Sequence, residues 1–280
     1  MESFFIKEGI GLKIAFRDGD IYYVVLFQAL EQTMIPMKPI HLLSFALLTL
    51  AVQCSTDDDS NIGNEGDYES YRYPLWTGLI DLGYSLDFVG DQVDEGSYAD
   101  YDGQPFDPDH AGIGGIETSG VLERLDEIVA ASATPDIILL GIGGNDLTDG
   151  QQPVSTVVDN IELIIMELRA SYPDVEFLVE QIAPASESFM TSELNDTLQS
   201  FYQGLESLVA NVSTPQSEVV LVDMSTDFIE DYFADATHYN QEGATFVANQ
   251  YKDAIVQLIP APQSITLLPI GDSRVEGARY

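Results

Sequence analysis

From Tyr71 onward the apolar positions of this chain fall into two alternating patterns, short runs and longer stretches at helical spacing. Val121–Ser132 carries apolar residues at 121, 122, 125, 128 and 129, which is the spacing of one buried helix face. Pro74–Leu82 reads as a helix with proline in its first turn and Gly83 as its stop. Val154–Ala170, Ser192–Val212 and Asn240–Leu258 read as further helices. Short strands are expected between them at Ser85–Val89, Asp136–Gly141, Val175–Ile182, Glu218–Val222 and Ile265–Ile270. The run Asp136-Ile-Ile-Leu-Leu-Gly141 is apolar almost throughout, as a strand covered on both faces should be. Strands separated by helices of roughly 10–20 residues predict a three-layer αβα sandwich, with a mostly parallel sheet of about five strands. In such sheets ligands bind beyond the carboxyl ends of the strands, so functional residues should follow strands. A single domain over residues 68–280 accounts for the pattern, without an internal repeat.

The chain before this region reads differently. Met37-Lys38 precedes the apolar run from Pro39 to Gln53, and the run closes on Cys54. The run is too short to span a bilayer comfortably and fits a signal peptide better than a membrane helix. With the cysteine at its end it resembles a bacterial lipoprotein signal, in which that cysteine is acylated, although Gln53 stands where a small residue is usual. The alternative is a buried core helix with an incidental cysteine. Residues 1–36 lie upstream of the start such a signal would have, at Met37. Residues 55–67 are acidic, small and Gly-containing, and read as a flexible tether. The expectation is an exported bacterial protein, lipid-anchored through Cys54 at the periplasm or cell surface.

Composition narrows the function classes. The chain has 280 residues, 47 acidic and 10 basic, for a formal charge of −37. Five of the acidic and four of the basic residues precede position 55, leaving 42 against six beyond it. Such a balance excludes a nucleic-acid binder, which needs a basic footprint. A 45% hydrophobic content excludes disorder. One cysteine rules out a disulfide framework and a Cys-rich metal site, and no Asp-x-Asp-x-Asp-Gly run marks a calcium loop. No cofactor and no metal are expected.

Three segments at or beyond strand ends carry the candidate chemistry. Gly271-Asp-Ser273 follows the last strand, Gly143-Gly-Asn145-Asp146 follows the strand 136–141, and Asp235-Ala-Thr-His238 lies beyond the strand 218–222. A fourth, His110-Ala-Gly-Ile-Gly-Gly-Ile-Glu-Thr118, follows the strand 85–89. A serine hydroxyl is a weak nucleophile and needs a base within hydrogen-bond reach, held in turn by a third group. Only three histidines exist, and His41 belongs to the leader, so the base is His238 or His110. Asp235 lies three residues before His238, where a turn can bring its carboxylate to the imidazole. His110 reads instead as a loop or rim residue near substrate. The backbone N–H of Ser273, one from a glycine in 112–115 and the Asn145 amide could together hold a developing oxyanion. Asp146 reads as a loop-holding residue and Asp223 as a structural one. Trp76 and Tyr73 read as core rather than as a sugar platform. Asn195-Asp-Thr and Asn211-Val-Ser fit a glycosylation pattern, expected to be unused in a bacterial lipoprotein.

Taken together, Gly-Asp-Ser, a glycine in a G-x-x-G segment, G-x-N-D and D-x-x-H resemble the four blocks of the SGNH (GDSL-type) hydrolases. The segments from Tyr71-Arg-Tyr-Pro-Leu-Trp76 to Gly90 and Phe106-Asp-Pro-Asp-His-Ala-Gly-Ile-Gly-Gly115 are similar to carbohydrate esterase family 3 acetylxylan esterases. The resemblance covers roughly residues 68–280. It implies a flavodoxin-like αβα fold, Ser273 as nucleophile and His238 as base with Asp235 as its partner. It also implies an oxyanion hole of Ser273, Gly115 and Asn145, with Gly114 as the alternative glycine. The implied reaction is hydrolysis of short acyl esters, acetyl groups on carbohydrate foremost, with lysophospholipase or thioesterase activity as alternatives within the superfamily. A rival of another class is a non-catalytic glycan-binding surface lipoprotein with a degenerate cleft.

One departure concerns order. In the family the Gly-Asp-Ser block comes first, directly before the segment resembling Tyr71–Trp76; here it follows every other block. Joining Gly271–Tyr280 onto Tyr68 restores the family order, as in a circular permutation, and such exposed turns tolerate new termini. A tandem gene cut after its second Gly-Asp-Ser is the competing reading. Either way the strand Ile265–Ile270 must slot between strands made earlier in the chain.

Overall fold

The computed structural model of the chain describes residues 4–7, 10–17, 20–27, 70–148 and 152–277, which fall in two units. The leader reading at 37–54 and the tether at 55–67 lie outside the described residues. In the N-terminal unit, β1 (Phe4–Lys7), β2 (Ile10–Arg17) and β3 (Asp20–Phe27) form an antiparallel meander whose β2–β3 backbone register runs from Ile10 opposite Phe27 to Arg17 opposite Asp20. The sequence expectations assign no elements there. The signal for the second hairpin is the Asp-Gly pair separating two β-rich runs.

The larger unit runs α1 (Arg72–Ile80), β4 (Ser85–Phe88), β5 (Gln92–Val93), β6 (Asp109–Gly112), α2 (Thr118–Ala131) and β7 (Ile137–Gly141). It continues with α3 (Gly144–Thr148), α4 (Val154–Ser171), β8 (Glu176–Gln181), α5 (Ser192–Val212) and β9 (Val219–Asp223). A 3₁₀ turn (Glu230–Tyr232), α6 (Gln241–Leu258), β10 (Ser264–Gly271) and α7 (Ser273–Glu276) complete it. All ten helices and strands expected from the sequence over 74–270 are present with ends shifted by a few residues, and α6 starts after Asn240, whose side chain accepts from the Gly243 N–H. The sheet is larger than the five strands expected, because the short strands β5 and β6 join it.

The strand order is β5-β6-β10-β7-β8-β9, with β4 also on β10. All pairs are parallel except β5 with β6. One edge of β10 runs along β7 from Leu267 to Gly271. The other edge is shared end to end, β4 taking Ser264–Leu267 and β6 taking Ile270–Gly271. Pro269 lacks an N–H, which a central strand cannot normally spare. The carbonyls of Leu267 and Gly271 point to the β4/β6 edge, where they accept from Val89 and Ile113. By the period of two, Pro269 faces the gap between β4 and β6, so its missing donor interrupts no ladder.

Alternation along the strands feeds two cores. Ile138, Leu140, Phe177, Val179, Leu268 and Ile270 pack beneath α2, α4 and α5. Ile137, Leu139, Leu178, Ile265 and Leu267 pack with α1 and α6. The sheet is therefore covered on both faces, which is why its strands read as continuous apolar runs. Trp76 is only 2% exposed and belongs to the second core, as expected, with Tyr73 packed against it.

The start of α1 is fastened to the segment after β10. Arg72 is completely buried, and its guanidinium donates to the carbonyls of Val275, Glu276 and Pro108 and to the Asp94 carboxylate. The Ser70 hydroxyl also donates to the Val275 carbonyl, at 2.9 Å. Removing one member of a buried ion pair leaves the other charged and dry. Arg72→Met should therefore cost about 3–5 kcal/mol of stability, read as a lower urea midpoint at unchanged slope. Adding Asp94→Asn to it should recover part of the loss.

Candidate active site

The loops that follow β6, β7, β9 and β10 converge at the carboxyl edge of the sheet, where the topology predicts a site. Gly271 passes so close to β7 that a Cβ there would lie 2.2 Å from the Gly141 carbonyl, so the strand leading to the serine needs glycine. Asp272 is 6% exposed and caps α7 by accepting from the Arg274 N–H, which leaves Ser273 as the first residue of that short helix.

Ser273 and His238, 35 residues apart in sequence, meet with Oγ 2.9 Å from Nε2. The other ring nitrogen, Nδ1, lies 2.7 Å from Asp235 Oδ2. The second oxygen of that carboxylate accepts from the backbone N–H groups of Thr237 and His238, both at 2.8 Å. This is the local turn that an aspartate makes with its own following backbone, and it is why the D-x-x-H spacing brings acid and imidazole together. Burial works to raise the Asp235 carboxyl, but the bonds from the N–H groups of Thr237 and His238 and from the imidazole outweigh it and hold it below its ordinary value. An ionised carboxylate only accepts, so Nδ1 carries the proton and Nε2 is free to accept from the serine hydroxyl.

The sequence-predicted oxyanion residues lie on neighbouring loops. Gly115 adopts a φ of 72°, in the left-handed region, with open space where a side chain would stand. A Cβ on Gly114 would instead lie 2.7 Å from a Glu276 carboxylate oxygen. The Asn145 amide donates to the Ile116 carbonyl at 2.9 Å, which ties the β7 loop to the Gly115 loop. Beside it, the 1%-exposed Asp146 accepts from both the backbone and the hydroxyl of Thr118, the first residue of α2. Asp146 thus holds loop backbone, as expected from the sequence. Asp223 does likewise, accepting from Ser225, Thr226 and Gln181.

His110 differs from its expectation as a rim residue. It is 2% exposed within β6, and its Nδ1 accepts from the Gly112 N–H. Burial, and secondarily the nearby Arg72 charge, pushes its pKa down to about 3, so it stays neutral. Among the described residues no cluster of three or more His, Cys, Asp or Glu side chains could hold a metal ion. What the arrangement can do is deprotonate a serine at a sheet edge lined with glycines and an amide.

The chain matches the GDSL-like Lipase/Acylhydrolase family over residues 86–246, a stretch that includes Gly115, Asn145, Asp235 and His238 and stops before Ser273. No match to a curated protein is found. A carbohydrate esterase family 3 structure from Talaromyces cellulolyticus is similar at 27% identity and a TM-score of 0.61, covering 70% of this chain and 94% of that one. A serine-to-alanine mutant of an acetyl esterase, solved with an acetate ion, is similar at 26% identity and a TM-score of 0.61, with the same coverage of 70% and 94%. A Clostridium thermocellum family 3 carbohydrate esterase shares the fold at 22% identity and a TM-score of 0.55, covering 73% of this chain and 96% of that one.

Sequence reasoning did not single out Glu180, a carboxylate inside the apolar strand β8. Its position in that run was the available signal, since an unpaired acid is seldom buried. It is 3% exposed, lies against Gly141 and accepts from the Tyr251 hydroxyl at 2.8 Å. Burial raises its pKa from 4.5 to about 7. An acid whose folded pKa lies above its unfolded value binds its proton more tightly when folded. Its stabilising contribution is therefore full below pH 4.5 and is lost as pH rises through about 7. Compared with wild type, Glu180→Gln should gain on the order of 2–3 kcal/mol of stability between pH 5 and pH 8. Urea unfolding of both proteins at the two pH values checks this, and an unchanged difference would contradict it.

Proposed function

The chain belongs to the GDSL-like lipase/acylhydrolase family and is a carboxylic ester hydrolase, and from that premise we propose that it is a serine esterase removing short acyl groups, acetyl foremost, from carbohydrate. The observation that carries the reading is the unbroken hydrogen-bond chain from Ser273 through His238 to Asp235. The likeness to a family 3 carbohydrate esterase and to an acetyl esterase supports the choice of acyl group and alcohol.

In this mechanism His238 Nε2 takes the Ser273 proton as Oγ attacks the ester carbonyl carbon. The Asp235 carboxylate holds the imidazole in the required tautomer and stabilises the imidazolium. Negative charge on the former carbonyl oxygen is met by the N–H groups of Ser273 and Gly115 and by the Asn145 amide. Collapse breaks the bond to the alcohol oxygen, which leaves with the proton from His238. Water then attacks the acyl-enzyme with His238 again as base, releasing the carboxylic acid and restoring Ser273.

The position of β10 between strands made earlier in the chain, with Arg72 and Ser70 bonded to the carbonyls just past Ser273, supports reading the block order as a circular permutation. We further propose export and a lipid anchor at Cys54, on the sequence pattern of residues 37–54. Incorporation of labelled palmitate in wild type and not in Cys54→Ser tests that anchor.

Ser273→Ala should lower p-nitrophenyl acetate hydrolysis by at least about 10³-fold with the fold intact, and deletion of Gly271–Tyr280 should remove the activity as well. Full activity in either variant would point to another nucleophile. Asn145→Ala should lower kcat about 10²–10³-fold. In a series of acyl esters of rising chain length the rate should peak at acetyl; a peak at long acyl chains would instead favour a lysophospholipase or thioesterase.

A further inference from the structure

The residue directly after the nucleophile makes an arrangement that the reaction above does not require in itself. Arg274 leaves α7 and reaches under the base-bearing loop, where Nε donates to the Thr237 carbonyl at 3.0 Å. Its two terminal nitrogens donate to the carbonyls of Ala183, at 3.1 Å, and Pro184, at 3.3 Å. Those two residues begin the loop after β8. The guanidinium carbon lies 5.2 Å from the centroid of the Tyr239 ring. The same two loops are joined once more where the Ser186 N–H donates to the Ala236 carbonyl at 2.9 Å.

Both neighbours of His238 are therefore in the grip of Arg274, Thr237 through its carbonyl and Tyr239 through its ring. Arg274 is itself bonded covalently to Ser273. The contacts close a circuit that runs Ser273, Arg274, Thr237, His238 and back to Ser273 through the 2.9 Å hydrogen bond. We propose that Arg274 is the positioning residue that sets the separation and angle between nucleophile and base. The proposal rests on the reading of Ser273 and His238 in those roles.

The chemistry explains why an arginine is needed. A planar guanidinium offers donors in a fixed fork and stacks on an aromatic face, whereas an ammonium is a single flexible point charge. Lysine at 274 could reach one of the three carbonyls and would leave the others without their donor. The Asp235–His238 contact is held within its own turn and does not involve Arg274. Loosening Arg274 therefore shifts acid and imidazole together as a unit, and it is the gap to Ser273 that opens.

The test compares wild type with Arg274→Lys and Arg274→Gln in the full chain. The readouts are kcat and KM on p-nitrophenyl acetate, the rate of Ser273 labelling by a fluorophosphonate, thermal midpoint, and the downfield proton signal of His238 Nδ1. A displacement of about 1 Å at a reacting centre costs about 10²-fold in rate. Arg274→Lys should accordingly lose about 10²-fold in kcat and in labelling rate, while KM and the Nδ1 signal stay near wild type. Millimolar guanidinium should restore part of the rate to Arg274→Gln and none to Ser273→Ala. The proposal is overturned if Arg274→Lys keeps wild-type kcat, or if activity falls only in step with the folded fraction and the Nδ1 signal. Should Arg274→Lys fold poorly, absence of guanidinium rescue in folded Arg274→Gln overturns it equally. A wild-type enzyme that neither hydrolyses the ester nor takes label at Ser273 would instead sink the reading of the nucleophile, and the proposal with it.

Discussion

Everything at the site depends on the pairing of one strand. β10 lies in the middle of the sheet although it is the last strand of the domain, and its register against β7 brings Gly271 opposite Gly141. A slip of one residue would exchange the β10 side chains between the two cores, sending Leu268 and Ile270 to the α1/α6 side and Ile265 and Leu267 to the other. It would also move Ser273 away from a base whose own position is fixed from β9 and α6. The close approach at Gly271 and the gap filled by Pro269 restrict this strand to one register. The serine is placed by the sheet, and the loops need only bring the remaining groups to it.

Arginine does much of that bringing in a chain that carries 42 acidic and six basic residues beyond position 55. Arg72 fastens the C-terminal end of α7 to the start of α1, and Arg274 fastens its N-terminal end to the loops after β8 and β9. Arg124 pairs with Asp91, and Arg169 donates to Ser217 while lying over Phe177. Most of these bonds go to backbone carbonyls, so the cations serve to close loops more than to neutralise surface acid.

What was legible in the sequence was local or periodic. The Asp235–His238 pair could be read because an aspartate three residues before a histidine forms a turn by itself. Ser273 and Asn145 stood out because they follow apolar strands in an α/β pattern, whereas Gly115 was implied only by the family resemblance, with Gly114 as its alternative. The strands β5 and β6 could not. Asp109-His-Ala-Gly112 has too few residues and too little apolar character to signal a strand, and it exists because β10 offers an edge beyond Leu267. For the same reason His110 looked like a loop residue, although it pairs with Gln92 of β5 and is buried. The partners of Arg72 lie up to 204 residues away, and those of Arg274 up to 91; no spacing rule connects them. Glu180 announced itself only as an acid where the pattern called for an apolar residue.

The central claim is that acyl transfer passes through Ser273 with His238 as its base. The most direct measurement is peptide mapping by mass spectrometry of enzyme quenched in acid during turnover of p-nitrophenyl acetate. The account predicts one acetyl group, found on Ser273 in wild type, absent from Ser273→Ala, and slow to appear in His238→Ala. An acetyl group on another residue, or turnover at the wild-type rate in Ser273→Ala, would contradict it.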